Sequence, residues 1–302
     1  MEKISPRIDI AFKKIFGVEE NKDLLISLIN SIVGPDDQVV DVTILNPYNL
    51  KTFITDKLSI LDVKARGETG KLFNIEIQIT DEADYDKRAL YYWAKLYTEQ
   101  LKAGEDYAKL SKAIGIHILN FTSISGIDSY HNVFHVVEKQ SGKQYFKDLE
   151  LHTIELTKFS SNVREELDEL LTKIKKTLDI WAAFLTRNDL INRDNIPAQL
   201  DKPELKKALH VLDVINFGEL EYQAYEERMK WLRIETNTVN KYKAEGREEG
   251  REEGIKETAK KMLEKGLDVE IVMAVTGLSK EEIEALESIA SLYLGSMNKN
   301  KI

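Results

Sequence analysis

Three polar residues, Asp62, Glu76 and Gln78, have the types and the spacing to do chemistry. Residues 72–80 alternate apolar and polar side chains, a period-2 pattern that predicts a half-buried β-strand. One predicted face carries Phe73, Ile75, Ile77 and Ile79, and the other carries Asn74, Glu76 and Gln78. The spacing therefore places Glu76 and Gln78 side by side on the polar face.

A second β-prone segment, residues 58–65, precedes this strand and is separated from it by a Gly-rich turn at 67–71. A one-residue slip would move every side chain to the wrong face, so the hairpin must pair residues of equal parity. A loop centred on Thr69 meets this condition. It pairs Ala65 with Phe73, Lys64 with Asn74, Val63 with Ile75, Asp62 with Glu76, and Leu61 with Ile77.

The predicted pairing places the carboxylates of Asp62 and Glu76 on one face, with Cβ atoms about 4.5–5.5 Å apart. Two carboxylates at that distance repel each other unless a cation lies between them. The pair is therefore either a metal site or a solvated acidic face, and the sequence leaves both interpretations open.

The hairpin resembles the active-site hairpin of the PD-(D/E)xK nuclease superfamily, and more narrowly that of the Rpn-like group (recombination-promoting nuclease or putative transposase). The third motif of that group reads Glu-x-Gln, as Glu76 and Gln78 do here. Four further segments are similar to the group, and the resemblance covers roughly residues 3–160. These segments are 9–17, 88–97, 107–121 and 154–158.

The resemblance implies a restriction-endonuclease-like α/β fold, a mixed β-sheet flanked by helices, and a site for Mg²⁺, or for Mn²⁺ or Ca²⁺. Asp62 and Glu76 would be the metal ligands, with the carbonyl of Ile77 as a further one. Gln78 stands at the superfamily's lysine position and can orient a water, although it has no positive charge. Lys64, one pair along on the same face, is our hypothesis for the missing charge.

Two residues outside the hairpin have two interpretations each. Asp9 precedes an amphipathic segment and is either an N-cap, which the sequence favours, or an additional metal ligand. Arg88 either contacts a phosphate of the substrate or forms a salt bridge with Asp84 or Asp81.

The histidines and the aromatic residues receive structural interpretations. His131 and His135 are four residues apart in a strand-like segment, where they do not converge on a tetrahedral ion. We interpret the other three histidines as structural too, and we expect the aromatic cluster to pack in the core rather than stack on bases. The histidines are His117, His152 and His210, and the aromatic cluster is Tyr91, Tyr92 and Trp93.

The 302 residues carry a net charge of −9 and no cysteine, which excludes disulfides, thiolate nucleophiles and Cys-based zinc sites. No apolar segment approaches the ~20 residues of a membrane span, and residues 1–6 do not have the pattern of a signal peptide. We therefore expect a cytoplasmic protein that does not enter membranes. The acidic balance opposes non-specific DNA binding unless a local basic patch forms. Its candidates are Lys13, Lys14, Lys57, Lys64, Arg66 and Lys71.

The element pattern predicts a nuclease-like core at 1–160, a helical subdomain at 161–240 that includes a long helix over 162–187, and a tail at 241–302. Gly246, Gly250 and Gly254 form a stripe in a charged repeat, which we expect to become helical mainly on self-association. The tail ends in a unit that resembles a helix-turn-helix, with a capping box at Ser279 and Glu282. Its last helix is acidic and would be repelled by phosphates, which favours protein docking.

Taken together, these features predict a metal-dependent DNA endonuclease that self-associates through its tail. The family resemblance implies roles in recombination, mobile elements or defence against foreign DNA. The alternative is a catalytically inactive nuclease fold that binds partner proteins through the tail. Neither a Gly-rich phosphate loop nor a Gly-x-Ser-x-Gly motif is present, which leaves little support for a small-molecule enzyme.

Overall fold

The computed structural model describes residues 4–47, 63–162, 164–215 and 217–286. Six strands in these ranges form one mixed sheet in the order β1-β2-β3-β4-β6-β5. β1–β2–β3 is antiparallel, β3, β4 and β6 run parallel, and β5 is the antiparallel edge strand. The strands are β1 Val42–Ile44, β2 Val63–Gly67, β3 Leu72–Gln78, β4 Ala113–Leu119, β5 His131–Phe134 and β6 Leu149–Glu155.

Helices precede, connect and follow these strands, as the sequence predicts for an α/β fold. In chain order they are α1 Asp9–Phe16, α2 Lys22–Ile32, α3 Tyr85–Thr98, α4 Leu156–Phe159, α5 Leu167–Thr172, α6 Thr177–Arg187, α7 Pro203–Val214, α8 Glu219–Glu264 and α9 Val269–Thr276. A further helix, α10, covers residues 280–286.

Both faces of β3 are covered, because its alternating side chains enter two different clusters. Phe73, Ile75 and Ile77 belong to the main apolar core, which also contains side chains of α1, α2, α6 and α7. On the opposite face, Leu72 packs with Leu96 of α3. All seven residues of β3 are consequently buried, whereas the sequence predicted a strand with one face in solvent.

The predicted single helix over 162–187 is wrong, because the chain forms two helices, α5 and α6, in that range. The carboxylate of Asp179 accepts hydrogen bonds from the backbone N–H groups of Lys175 and Lys176, at 2.7 and 2.8 Å. These bonds satisfy amide groups at the start of α6. A new helix therefore begins there.

The described chain divides into two compact units, Met1–Met229 and Lys230–Ile302. In the first unit, one buried cluster contains side chains of the sheet and of α6 and α7, which belong to the predicted helical subdomain. The second unit has its own small apolar cluster of Ala259, Val272 and Ile283. None of the described helices combines the length and the apolar character needed to span a membrane.

Candidate active site

The polar side chains of β3 form a buried row beneath α3. Asn74, Glu76 and Gln78 are only 2 %, 7 % and 4 % exposed. A carboxylate removed from water requires an opposite charge or several hydrogen bonds. The solvated acidic face that the sequence left open is therefore excluded for Glu76, and its surroundings decide what it can do.

The predicted hairpin register is confirmed for the part of β2 that the structure describes. Val63 pairs with Ile75, Lys64 with Asn74 and Ala65 with Phe73. The turn lies at 68–70 and is therefore centred on Thr69. Asp62, the predicted partner of Glu76, lies outside the described residues.

Arg88 on the first turns of α3 is the cation that faces Glu76. Its Nη2 donates to Glu76 Oε1 at 3.2 Å and to Gln78 Oε1 at 2.8 Å, and its Nη1 donates to Glu82 Oε2 at 2.5 Å. Burial lowers the pKa of Arg88, but Glu76 and Glu82 outweigh this effect and leave the pKa raised. The salt bridge expected for Arg88 thus exists, but its acids are Glu76 and Glu82 rather than Asp84 or Asp81.

Both N–H donors of the Gln78 amide are engaged in this network. Its Oε1 accepts from Arg88, while its Nε2 donates to Glu82 Oε1 at 2.8 Å and to the Thr80 carbonyl at 3.1 Å. A glutamine amide offers two N–H donors and a carbonyl oxygen with two lone pairs. Gln78 can therefore donate to a water only by exchanging a protein partner, whereas its Oε1 can accept from a water through its second lone pair.

His117 and Tyr85 also lie around Glu76, and no sequence pattern indicates either role. His117 lies on β4 directly beside Glu76 in the parallel register, with Nδ1 3.9 Å from Glu76 Oε2. A 2.8 Å hydrogen bond joins the Tyr85 hydroxyl to His117 Nδ1. Burial, together with the positive charge of Arg88, lowers the pKa of His117 to about 4. His117 is therefore neutral near pH 7, and Arg88 supplies the positive charge beside Glu76.

The same environment keeps the Tyr85 hydroxyl protonated. Burial raises the pKa of Tyr85 well above its usual value, and the negative charge of Glu76 adds to this effect. Glu82, Tyr85 and His117 became identifiable as site residues only when α3 and β4 were placed beside β3. One local signal existed, since Glu82 follows Gln78 by four positions in the acidic segment 81–86.

Asp9 does not have the predicted N-cap role. α1 begins at Asp9 itself, and Ile8 is the N-cap residue. Asp9 Oδ1 accepts the backbone N–H of Ile10 at 2.7 Å, and Oδ2 lies 3.4 Å from Arg228 Nε. Burial raises the pKa of Asp9, against the opposing charge of Arg228. A metal-ligand role for Asp9 stays a prediction.

Three of the five described residues of the predicted basic patch are buried or paired. Lys13 is buried, Lys14 lies 2.7 Å from Glu221, and Lys71 lies 3.0 Å from Asp37. Arg66 is exposed and Lys64 is half-buried, while Lys57 lies outside the described residues. Lys13, Lys14 and Lys71 therefore offer a polyanion less free positive charge than the sequence predicts.

Two histidines and a lysine meet at one buried carboxylate, Glu150, near the other edge of the sheet. Glu150 Oε1 lies 2.7 Å from His152 Nε2, and Oε2 lies 2.7 Å from His135 Nε2 and 2.8 Å from Lys112 Nζ. His131 extends the network through His152 Nδ1 at 3.0 Å. Hydrogen bonds from these groups outweigh burial and lower the pKa of Glu150. Within the described ranges, no three His, Cys, Asp or Glu residues are arranged to hold a metal ion.

The aromatic cluster of α3 divides between core and surface. Trp93 Nε1 donates to the Ala113 carbonyl at 2.8 Å, and its ring stacks on Tyr97. Tyr91, in contrast, is mostly exposed, so the expectation of core packing is wrong for this residue.

The C-terminal unit has the predicted helix-turn-helix-like arrangement. α9 ends at Gly277, whose φ of 72° requires the left-handed conformation that glycine adopts without strain. The predicted capping box is confirmed: the Ser279 N–H donates to Glu282 Oε2 at 2.8 Å, and the Glu282 N–H donates to Ser279 Oγ at 3.3 Å. The glycine stripe lies inside the continuous helix α8.

Comparison with known proteins identifies both parts of the chain. The sequence model of the PD-(D/E)XK nuclease family transposases matches residues 6–241. The model of the C-terminal HTH domain of the Rpn/YhgA-like nuclease family matches residues 252–288. No curated protein and no solved structure matches the chain significantly. Because the first match covers well over half of the 302 residues, the chain belongs to the PD-(D/E)XK nuclease family transposases, with a C-terminal domain of the Rpn/YhgA-like type.

Proposed function

We propose that this protein is a divalent-metal-dependent DNA endonuclease whose active site is the polar row of β3. The observation that carries the proposal is the buried Glu76 carboxylate, which lies beside the Gln78 amide and accepts a hydrogen bond from the Arg88 guanidinium. A buried carboxylate that pairs with a cationic side chain can accept a metal ion in exchange for that cation.

Asp62 is the proposed second metal ligand. The β2–β3 register is regular from Arg66 to Val63, and its continuation by one residue would set Asp62 opposite Glu76. Carboxylate, amide and backbone oxygens are the ligands that Mg²⁺ prefers, and Mg²⁺ keeps several waters. Asp62 and Glu76, with the Ile77 carbonyl, fit Mg²⁺ in this respect, and Mn²⁺ or Ca²⁺ would use the same oxygens. When bound, the ion would stabilise charge on the phosphodiester as a Lewis acid and acidify a bound water.

Arg88 is proposed to change partners during the cycle. Without a metal ion, its guanidinium neutralises Glu76 and holds the Gln78 amide. A divalent cation at Glu76 would repel it. The released guanidinium has the planar geometry that binds phosphate oxygens with two hydrogen bonds. Arg88 would then bind the substrate, and the freed Gln78 oxygen could orient the attacking water.

Lys64 is proposed to supply the charge that Gln78 lacks. It lies opposite Asn74, on the same face as Glu76 and one pair away. An ammonium group there could bind the phosphate or the leaving oxygen. If Lys64→Met leaves cleavage unchanged while Asp62→Ala abolishes it, this role for Lys64 is wrong.

The decisive experiment measures nicking of supercoiled plasmid by the purified full chain with Mg²⁺, Mn²⁺, Ca²⁺ or EDTA. We expect cleavage with Mg²⁺ or Mn²⁺ that is lost in EDTA and in Glu76→Gln and Asp62→Asn. Asp86→Asn, an exposed position on the first turn of α3, is the matched control and should retain activity. Calorimetric titration with the same ions should show uptake that both site variants lose.

A non-enzymatic role is the second candidate, and the engagement of both Gln78 N–H donors by protein groups favours it. Equal nicking by wild type and Glu76→Gln, or no ion uptake by wild type, would reject the endonuclease and leave an interaction module. For the endonuclease we propose a role in recombination, mobile elements or defence against foreign DNA, and for either candidate a cytoplasmic location. We further propose that the C-terminal unit binds a second copy of the chain.

A further inference from the structure

The long connection between β5 and β6 carries an unusual concentration of positive charge. We name residues 135–148 the β5–β6 arm. Its segment 139–147 contains Lys139, Lys143 and Lys147 and no acidic residue, in a chain whose net charge is −9. No described residue forms an ion pair with any of these three ammonium groups, and all three lysines are exposed.

The tip of the arm is a hydrogen-bonded hairpin rather than an irregular loop. Val137 and Gln144 form an antiparallel bridge, and the Glu138 N–H donates to the Lys143 carbonyl at 2.8 Å. The Gly142 N–H donates to the Glu138 carbonyl at 2.8 Å, and Gly142 has a φ of 68°. The arm therefore holds its side chains in a defined arrangement.

The one acid at the base of the tip is used for this architecture. The Glu138 carboxylate accepts the N–H groups of Gln140 and Ser141, at 3.0 and 2.8 Å, and the Ser141 hydroxyl at 2.7 Å. These bonds, with the one from Gln140 contributing most, lower the pKa of Glu138 to about 2. Its carboxylate is thereby held against the turn backbone. The other acid of the arm, Asp148, accepts the Tyr97 hydroxyl at 2.9 Å, so the arm carries three lysines against two acids.

Two aromatic side chains lie between these lysines and are exposed to solvent. Tyr145 is 78 % exposed and Phe146 is 61 % exposed, and their rings meet edge to face at 4.9 Å. Val136 and Val137 add further exposed apolar surface. Exposed aromatic rings interleaved with lysines are the combination that binds single-stranded nucleic acid, because bases stack on the rings while ammonium groups contact phosphates.

The arm lies within reach of a nucleic acid held at the active site. In the sheet register, Glu76 lies beside His117 on β4, and His117 lies beside Thr153 on β6. The arm ends at Asp148, five positions before Thr153 and two strands from β3. Strand geometry therefore places the base of the arm roughly 20 Å from Glu76.

We propose that the β5–β6 arm is a binding site for single-stranded DNA, with Tyr145 and Phe146 stacking on bases and Lys139, Lys143 and Lys147 contacting phosphates. The proposal rests on the proposed nuclease function for the identity of the nucleic acid. A second copy of the chain is the competing occupant, but a two-fold contact through the arm would bring each set of lysines against its own copy. Charge complementarity favours the polyanion.

The test measures binding of fluorescein-labelled oligodeoxythymidine by fluorescence anisotropy, in EDTA so that no cleavage occurs. Tyr145→Ala/Phe146→Ala should weaken binding by roughly 5- to 150-fold, the range for loss of one stacked base. Lys139→Gln/Lys143→Gln/Lys147→Gln should reduce the slope of log affinity against log salt by about 2.

Matched controls separate the arm from general surface effects. Tyr107→Ala removes an 81 % exposed tyrosine elsewhere on the same unit, and Lys95→Gln/Lys102→Gln/Lys109→Gln removes the same charge from exposed positions. Both controls should bind as wild type does. Far-ultraviolet circular dichroism checks that every variant is folded.

Three outcomes would overturn the proposal. In the first, the arm variants bind the oligonucleotide as tightly as the wild type and the controls do. In the second, a blunt duplex binds as tightly as the single strand, and the arm variants lose duplex binding to the same extent. In the third, the arm variants lose only self-association, measured by light scattering. Since the assay needs no catalysis, it is independent of the nicking experiment. Loss of binding in the arm variants supports the binding site on the arm even if the protein does not nick plasmid. Nicking by the wild type supports the nuclease function even if the arm variants bind as the wild type does.

Discussion

At the scale of single residues, the site is governed by one carboxylate and the cation that faces it. Glu76 is buried, so it must be paired, and Arg88 is one group that pairs with it. His117 lies close but is neutral because burial and Arg88 lower its pKa to about 4. The charge of Arg88 therefore competes with any metal ion at Glu76.

Replacement of Arg88 should strengthen metal binding even as it weakens catalysis. In Arg88→Met the competing positive charge is gone, so the affinity of Glu76 for Ca²⁺ should rise on the order of tenfold, as for a partly screened charge at this distance. Isothermal titration calorimetry measures this directly. Lys87→Met, which removes the neighbouring exposed lysine paired with Asp84, should leave the affinity unchanged. A weaker affinity in Arg88→Met would show that Arg88 does not compete with the ion.

His131 should make the stability of the protein depend on pH. Burial lowers its pKa from 6.5 to about 4. The charges of His152 and Lys176 act in the same direction, and the negative charge of Glu150 opposes them. Between pH 6.5 and 4 the unfolded chain binds this proton and the folded chain does not, so the unfolding free energy falls as the pH falls through this window.

Urea unfolding at a series of pH values, with the C–H resonances of His131 followed by NMR, tests this expectation. His131→Gln should reduce the slope of stability between pH 6.5 and 4, and His117, whose pKa is also lowered to about 4, should retain its share. His210→Gln, at an exposed position on α7, should keep the wild-type slope. A titration of His131 near its unperturbed pKa would contradict the prediction.

At the scale of elements, the parallel pairing of β3, β4 and β6 brings the site together. β4 supplies His117, and its close approach to β6 depends on Gly115. A Cβ at Gly115 would lie 2.6 Å from Leu151 Cδ2 and 3.1 Å from His117 Nε2. The absence of a side chain at this position therefore serves packing on the face that carries the site.

Gly115→Ala should destabilise the protein by about 1–3 kcal/mol, because the added methyl group forces a shift in a packed interior. Urea denaturation measures the loss. Gly34→Ala is the matched control, since a Cβ there meets no described atom within 4 Å, and it should leave stability nearly unchanged. Equal stability of the two variants would mean that Leu151 moves aside freely.

At the scale of the whole molecule, the chain contains two compact units with separate apolar clusters. The larger unit carries the candidate active site and the β5–β6 arm. The smaller one carries the HTH-type domain, in which α9 and the end of α8 pack around Val272. Units with separate cores unfold as separate transitions unless a large apolar interface joins them.

Scanning calorimetry of the full chain should therefore resolve two transitions. Val272→Ala should lower the transition temperature of the C-terminal unit alone, because truncation of a core side chain reduces the unfolding free energy of that unit by about 2 kcal/mol. Ile75→Ala, in the fully buried strand β3, should lower only the other transition. A single transition that both variants shift equally would show that the two units unfold together.

The features that the sequence predicts well are local. The alternation of residues 72–80 and the parity of the preceding strand were sufficient for the hairpin register, because pairing across a short turn has few alternatives. The capping box at Ser279 and Glu282 is likewise a contact between residues three positions apart. The family resemblance of residues 3–160 and the mixed α/β fold also followed from motifs and element order, and the comparisons confirm both.

The tertiary structure alone decided what surrounds Glu76. The sequence could not show that α3 covers the polar row of β3, that Arg88 bridges Glu76 and Gln78, or that His117 lies beside them. It also assigned the basic patch to lysines that the fold buries or pairs, such as Lys13 and Lys14. The physical reason is the same in each case. Alternation and capping depend on backbone geometry over a few residues, whereas burial and charge pairing depend on which distant elements pack together.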